Sequence, residues 1–286
     1  MYITLRAAFS TALPPTLIAL AALAAPAARA DADSAWFAQS DAMKESQPHW
    51  MTPIVTVTPR LEQEFRYDQS WQSRPGGVDV DSYGGGKGLE LIPLPNVEVI
   101  LGVPAYQVRD TPRGRTQGWA DETLLLKYRL LSANEEQGNY IVTGFLGVSV
   151  PTGSAALTSH HALYTPTLAA GKGWGGREAG FDVQSTLAIT LPDGAERTLG
   201  EPLVWNTAFQ AHVMKVLWPQ IEVSYTHFKD GPNAGRNQVA LTGGVVLGRF
   251  ALGRRARLIV GAGYQSPVST FTTFGHTWLL TGRVAF

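Results

Sequence analysis

Three groups of residues could carry chemistry. Ser159-His160-His161 places a hydroxyl and two imidazoles in one stretch, the materials of a nucleophile and its base. No acidic residue within that stretch would orient an imidazole, and two adjacent histidines lack a third metal ligand. The stretch is therefore expected to be a solvated loop, with no catalytic or metal role for His160 or His161. Gly84-Gly85-Gly86-Lys87-Gly88 has the glycines and lysine of a phosphate-cradling turn. It lacks the Ser or Thr after the lysine and the helix that should follow, so a flexible loop leading into a strand is expected. The third group is a set of charges at alternating positions: Arg60, Glu62, Glu64, Arg66, Glu98, Asp121, Lys127, Arg129, Asp182, Glu222, Arg257 and Arg283. Six are acidic and six basic. A ring of one sign would indicate ion selectivity, and this mixture does not.

Composition removes other chemistries. There is no cysteine, hence no disulfide, thiolate nucleophile or thiolate-bound metal. The 23 Lys+Arg balance 23 Asp+Glu, which leaves no basic stripe for nucleic acid. No cofactor is expected.

The elements that must position the charges alternate with period two from Ile54 to the last residue. Phe181, Val183, Leu187 and Ile189 share one face of a segment, while Asp182, Gln184, Thr186 and Thr190 share the other. Val97, Val99 and Leu101 oppose Asn96 and Glu98; Leu124, Leu126 and Tyr128 oppose Lys127 and Arg129; Ile221, Val223 and Tyr225 oppose Gln220 and Glu222. About twelve such strands are predicted, near 54–67, 87–93, 96–109, 119–131, 139–150, 165–174, 180–191, 203–215, 218–228, 237–249, 256–265 and 274–286. Short connections, as at 132–138, 175–179 and 251–255, alternate with long ones at 68–86, 110–118, 151–164 and 192–202. The pattern predicts an all-β fold: a closed, antiparallel, up-and-down transmembrane β-barrel with the apolar rows facing lipid and the charged parity lining the lumen.

A water-soluble sandwich or lipocalin-like barrel would also alternate, with its faces reversed. Two features favour the membrane. Aromatic residues recur near strand ends, at Tyr67, Tyr106, Tyr128, Tyr140, Phe181, Trp205, Tyr225, Tyr264 and Trp278, as in interfacial girdles. The last strand puts Trp278, Leu280, Gly282, Val284 and Phe286 on one face and stops there, which resembles the signal read by the outer-membrane barrel assembly machinery.

Ahead of the barrel, Arg6, the apolar Leu13 to Leu23 and Ala28-Arg29-Ala30 read as a secretory signal peptide over residues 1–30, cut before Asp31. Its removal leaves 21 basic against 23 acidic groups, a net charge of −2. Residues 31–53 are polar and irregular, a periplasmic tail or a plug for the lumen; residues 54–286 form the barrel.

Three stretches carry a resemblance. They are Gly88-Leu-Glu-Leu-Ile-Pro-Leu-Pro-Asn96-Val-Glu-Val-Ile-Leu-Gly-Val-Pro104, Gly118-Trp-Ala-Asp121-Glu-Thr-Leu-Leu-Leu-Lys127-Tyr128-Arg129-Leu-Leu131, and Gly144-Phe-Leu-Gly-Val-Ser-Val150-Pro151-Thr152-Gly153. Together they resemble the outer-membrane family named for the "MetA-pathway of phenol degradation", a set of transporter-like barrels. Gly-Trp-Ala-Asp121 departs from the Gly-x-Gly-Asp expected there. The resemblance implies a bacterial outer-membrane barrel that passively admits small solutes, hydrophobic or aromatic ones among them, with outer-membrane lipid and the assembly machinery as partners. It implies no phenol chemistry. The alternatives are a structural or interaction barrel without transport, and a lipid-modifying barrel enzyme.

Overall fold

A computed structural model describes residues 26–286, with side chains from residue 35. Apart from 26–30, the predicted signal peptide lies outside the described residues. The chain divides into two compact units, one ending at Ala38 and the other Gln39–Phe286, and helix α1 (Pro26–Glu45) spans the boundary. In the first unit the rings of Trp36 and Phe37 pack with centroids 5.1 Å apart. A helix replaces the irregular tail expected from residue 31. The reason is local: Ala27, Ala28, Ala30, Ala32, Ala35, Ala38 and Ala42 supply the strongest helix propensity, behind a proline at the first position.

Apart from the end of α1 and a four-residue helix, α2 (Glu196–Leu199), the regular elements of the second unit are strands. Its strands begin with β1 (Glu64–Arg74), β2 (Val78–Tyr83), β3 (Gly88–Leu94), β4 (Val97–Leu101), β5 (Tyr106–Thr111), β6 (Gly114–Trp119) and β7 (Glu122–Ala133). They continue with β8 (Tyr140–Val150), β9 (Leu163–Gly175), β10 (Ala179–Ile189), β11 (Leu191–Pro192), β12 (Pro202–Val213), β13 (Leu217–Phe228), β14 (Asn237–Ala251), β15 (Arg257–Pro267) and β16 (His276–Ala285). Antiparallel pairing runs β1-β3-β4-β7-β8-β9-β10-β12-β13-β14-β15-β16, and β16 returns to β1 from Glu64↔Ala285 to Ser73↔His276. Among the described residues, twelve strands thus close a barrel. Closure leaves no wall edge in need of hydrogen bonds.

The other four strands are additions. β2, β5 and β6 extend the upper part of β1 as a flap on the long-loop rim, and β11 pairs with β9. The connections predicted at 68–86 and 110–118 are mostly this flap. The first strand also differs from expectation. Residues 54–63 are outside the sheet, and β1 starts at Glu64. Pro53 and Pro59 cannot donate to a ladder, so an inner strand could not run through them.

The wall is inverted relative to a soluble protein. Leu124, Leu126, Leu146, Leu168, Leu187 and Ile221 are exposed on the outside, while Lys127, Gln184, Gln210, Glu222 and Arg283 are buried within. Aromatic residues ring both ends of the outer surface, as in the pair Trp174 and Phe181 at the short-turn rim and the pair Tyr264 and Trp278 near the other. An eleven-residue strand such as β8 rises about 28 Å at a tilt of about 40°, close to the thickness of a hydrocarbon core.

Candidate functional site: a plugged lumen

The site is the lumen. Residues 46–63 enter it at the short-turn rim, where Ser132 Oγ donates to the Ser46 carbonyl (2.9 Å), and return to the same rim at Glu64. This segment has almost no regular structure, so its backbone must find partners elsewhere. The barrel charges supply them. Arg283 donates to the carbonyls of Thr52 (2.8 Å) and Pro53 (3.1 Å), Arg66 to that of Ile54 (2.9 Å), and Lys127 to that of Arg60 (3.0 Å). Arg249 donates to the carbonyls of His49 and Trp50, and Thr143 to that of Pro59. In the opposite sense Glu222 accepts from three successive amides, Ile54 (3.0 Å), Val55 (2.9 Å) and Thr56 (2.6 Å), and Glu98 accepts from the Glu62 amide (2.7 Å).

Glycines in the wall make room for the plug's large side chains. A Cβ on Gly171 would lie 2.5 Å from the Trp50 ring, and one on Gly244 would lie 2.5 Å from Ile54 Cδ1. Gly263 faces the same Ile54 methyl. A side chain at Gly171 or Gly244 would press on the plug, and one at Gly263 would crowd the Ile54 methyl.

The structure distributes the twelve predicted lumen residues unevenly. Glu64, Arg66, Glu98, Lys127, Arg129, Asp182, Glu222 and Arg283 are buried wall residues on the inner parity. Arg60 and Glu62 are buried too, but on the plug, paired at 2.7 Å; Arg60 also donates to the carbonyls of Pro48 and Trp50. Arg257 sits at the short-turn rim and donates to carbonyls of its own 253–256 turn, because it begins β15 where the wall ends. Asp121 lies at the opposite rim, in the break between β6 and β7. Closure brings the last strand, with Arg283, beside the first, with Glu64 and Arg66. Arg283 stands opposite Arg66 across the closing pair, but its guanidinium serves plug carbonyls. Lys127 meets Glu98 at 3.0 Å with both side chains fully buried.

Lys87, Glu90 and Arg249 also belong to the lumen and are not among the charges that alternation picks out. Lys87 was assigned to a flexible loop; Arg249 lies beside an irregularity in β14 that shifts parity after Gly248.

Three cavities flank the plug. One of 320 Å³ lies toward the long-loop rim, against Ile54 to Val57, Ile100, Leu125, Arg66, Asp68 and Lys87. A neighbouring cavity of 260 Å³ shares Ile54, Asp68 and Gly86 with it and reaches Ser70, Ser82 and Gln107. The third, 290 Å³, lies at the short-turn rim against His49, Glu135, Arg177, His212, Trp218 and Arg249. An apolar cluster of Trp50, Met51, Ile54, Ile141, Trp218, Val246 and Ile259 runs from the first to the third. At the short-turn rim the His49 ring and amide both bond Glu135, at 2.8 and 2.6 Å. Partial burial opposes ionisation of Glu135, but these bonds outweigh it and hold the carboxyl at about 2.

At the other rim Asp121 fastens a loop. Its carboxylate accepts from the Gly153 amide (2.9 Å) and from the Ser159 amide and hydroxyl (2.9 and 2.8 Å). Burial opposes ionisation here too, yet the bonds from Ser159, Thr158 and Gly153 keep the carboxyl below its usual range. Asp121 and Gly153, from two of the stretches quoted above, therefore meet in one contact. The Ser159 hydroxyl faces a carboxylate directly, an acidic neighbour that local sequence did not show. The ring of His161 donates instead to the Asp193 carbonyl (2.8 Å), and His160 is exposed with φ 59°. Among the described residues, no imidazole is placed to take the Ser159 proton. Among the described residues, no group of three His, Cys, Asp or Glu converges in a way that could hold a metal.

No family model and no curated protein matches this chain. A solved outer membrane channel from Pseudomonas putida F1 is similar at 15% identity and a TM-score of 0.51, covering 77% of this chain and 93% of that one. The fold is that of an outer-membrane β-barrel. A loop-deleted OmpT, an outer membrane protein of Vibrio cholerae, aligns at 9% identity and a TM-score of 0.34 over 78% of this chain and 97% of that one.

Proposed function

We propose that this outer-membrane barrel resides in the bacterial outer membrane and passively admits small solutes, hydrophobic and aromatic ones among them, without catalysis. The observation that carries this is the 320 Å³ chamber whose floor, Ile54, continues into the apolar cluster reaching Trp218 at the other cavity. Water and ions gain little from such a seam, whereas an apolar body exchanges favourably with the side chains already there. The polar clamp grips the plug from both sides, Glu98, Lys127 and Arg283 on one and Glu222 and Arg249 on the other, so a solute passing along the apolar cluster has to loosen the Glu222 and Arg249 bonds while the rest of the clamp stays in place. The similar channel of Pseudomonas putida and the resemblance to the phenol-degradation family point the same way. Export by the signal peptide over 1–30 and insertion through the strand ending at Phe286 belong to the same proposal.

The test is flux into liposomes carrying the purified barrel, taken as the excess over flux into protein-free liposomes. An uncharged aromatic alcohol entering faster than a sugar of like size supports the reading. Equal or absent flux of both refutes it. The filled lumen favours a second reading, a barrel that serves as a structural or interaction element. That reading predicts no flux and an envelope defect on deletion.

A further inference from the structure

The flap formed by β2, β5 and β6 is charged differently on its two faces. Gln72 of β1 faces the lumen, where it donates to buried Thr277. Gln72 pairs with Val80 and Val80 with Arg109, which puts Arg109 on the inner face together with Arg74, two residues beyond Gln72. Asp79, Asp81 and Asp110 take the opposite parity, outside, where Asp110 meets Arg115 at 3.6 Å. The acids are thus turned away from the mouth and the arginines into it.

Among the described residues, no carboxylate answers these arginines. Arg74 Nε donates to the neutral Gln72, and Arg109 Nε is buried with no hydrogen-bond partner among the described residues. Below them lie the two joined cavities. There Arg66 and Asp68 neutralise one another at 2.8 Å, while the buried ammonium of Lys87 reaches Glu90 at a long 3.5 Å. Elsewhere on the inner face at this height stand hydroxyls and amides, such as Ser149, Thr165, Thr186, Asn206 and Ser224. The approach to the chamber is therefore basic, although the barrel's charges taken together are balanced.

We infer that the solutes taken up are preferentially small organic anions: an apolar body bearing a sulfonate- or carboxylate-like head that Arg74 and Arg109 attract and Lys87 receives in the chamber. This rests on the uptake reading and narrows its substrate class. A mouth lined by one sign concentrates ions of the other, and an anionic head supplies the acceptor that Arg109 lacks.

The experiment compares liposome flux of benzenesulfonate, phenyltrimethylammonium and benzyl alcohol through the intact barrel. The two ions are permanently charged and of similar size, so lipid passes neither. Benzenesulfonate should exceed phenyltrimethylammonium roughly three- to tenfold at low salt, and the ratio should fall as salt rises. Arg74→Gln with Arg109→Gln should bring it close to one. Lys87→Gln should slow the sulfonate while sparing the alcohol. Arg115→Gln, which removes a like charge from the outer face, should leave the ratio intact. Equal ion fluxes, or a ratio unmoved by the double substitution, overturn this inference while leaving uptake of the alcohol standing. Failure of the barrel to raise the entry of any of the three above that into protein-free liposomes overturns the uptake reading with it.

Discussion

Glu222 offers the sharpest test of how the plug is held. Its carboxylate accepts three consecutive plug amides at 2.6–3.0 Å and a fourth bond from Gln220 at 2.8 Å. Glu222→Ala leaves those amides facing a hole in a buried site. Bonds to a charged acceptor are worth roughly 1.5–3 kcal/mol each, and water entering the hole restores part of that. Taking about 1 kcal/mol net for each of the three gives about 3 kcal/mol, or a rise of about a hundredfold in the displaced plug. The barrel should survive, because the twelve-strand ladder does not depend on this side chain. The chain has no cysteine, so Met51→Cys makes a single reporter at a buried position on the plug itself. Its labelling rate by a membrane-impermeant maleimide follows the displaced fraction when displacement is fast and reversible. The rate should rise about a hundredfold in Glu222→Ala; Glu222→Gln, which keeps an acceptor oxygen, should fall between. An unchanged rate in a barrel that still migrates as folded before heating would refute the clamp.

Other outcomes follow from the same geometry. Gly244→Val must push on Ile54 and on the neighbouring backbone, so single-channel conductance should increase while the folded barrel persists. Asp121→Asn weakens the contact to Gly153 and Ser159 and should make the 151–162 loop several-fold more sensitive to external protease. The wild-type loop should loosen likewise in acid: the Asp121 carboxyl is lowered in the fold, so its contribution is full above the ordinary carboxylate range and is lost as pH falls through the lowered value. Glu135, held at about 2, behaves in the same sense, its bond with His49 giving way only as pH approaches that value. NMR titration of a Glu135-labelled barrel checks it, and a midpoint in the ordinary range for glutamate would contradict the geometry.

The wall was legible because each strand separates two media. Leu187 beside Thr186 and Ile221 beside Glu222 repeat a contrast that only a lipid face and a polar face impose together, and the parity follows from it. Where one of the media disappears, so does the signal. Residues 68–86 rise beyond the apolar belt, with polar groups such as Asp79, Asp81 and Ser82 interspersed, and so read as loop although much of the stretch is strand. The reverse error occurred at Arg60 and Glu62. Their alternation with Leu61 and Gln63 imitates a strand, but the partners they meet are plug carbonyls, each other and the charges Glu98 and Lys127 of β4 and β7. Pro59 was the available warning. Asp121 shared the apparent parity of the wall charges, and only the break between β6 and β7 turns it outward to a loop.

The balanced interior charge then has a physical explanation that a selectivity ring could not supply. A segment without helix or ladder, placed where water is scarce, presents bare carbonyls and amides that apolar neighbours cannot satisfy. Pro48, Pro53 and Pro59 deepen the asymmetry, since each brings a carbonyl without an N–H. Cations must therefore answer most of the plug's carbonyls, as Arg66, Lys127, Arg249 and Arg283 do. Anions answer its remaining amides, as Glu98 and Glu222 do. Some buried charges are offset by a counter-ion, as Lys127 is by Glu98, and others by the plug backbone, as Glu222 and Arg283 are, so removing the plug would leave the latter unanswered. A chain truncated before Glu64 should accordingly fold into a barrel with a lower melting temperature as well as a wider pore. A truncated barrel that melts with the full chain would show that the charges never needed the plug.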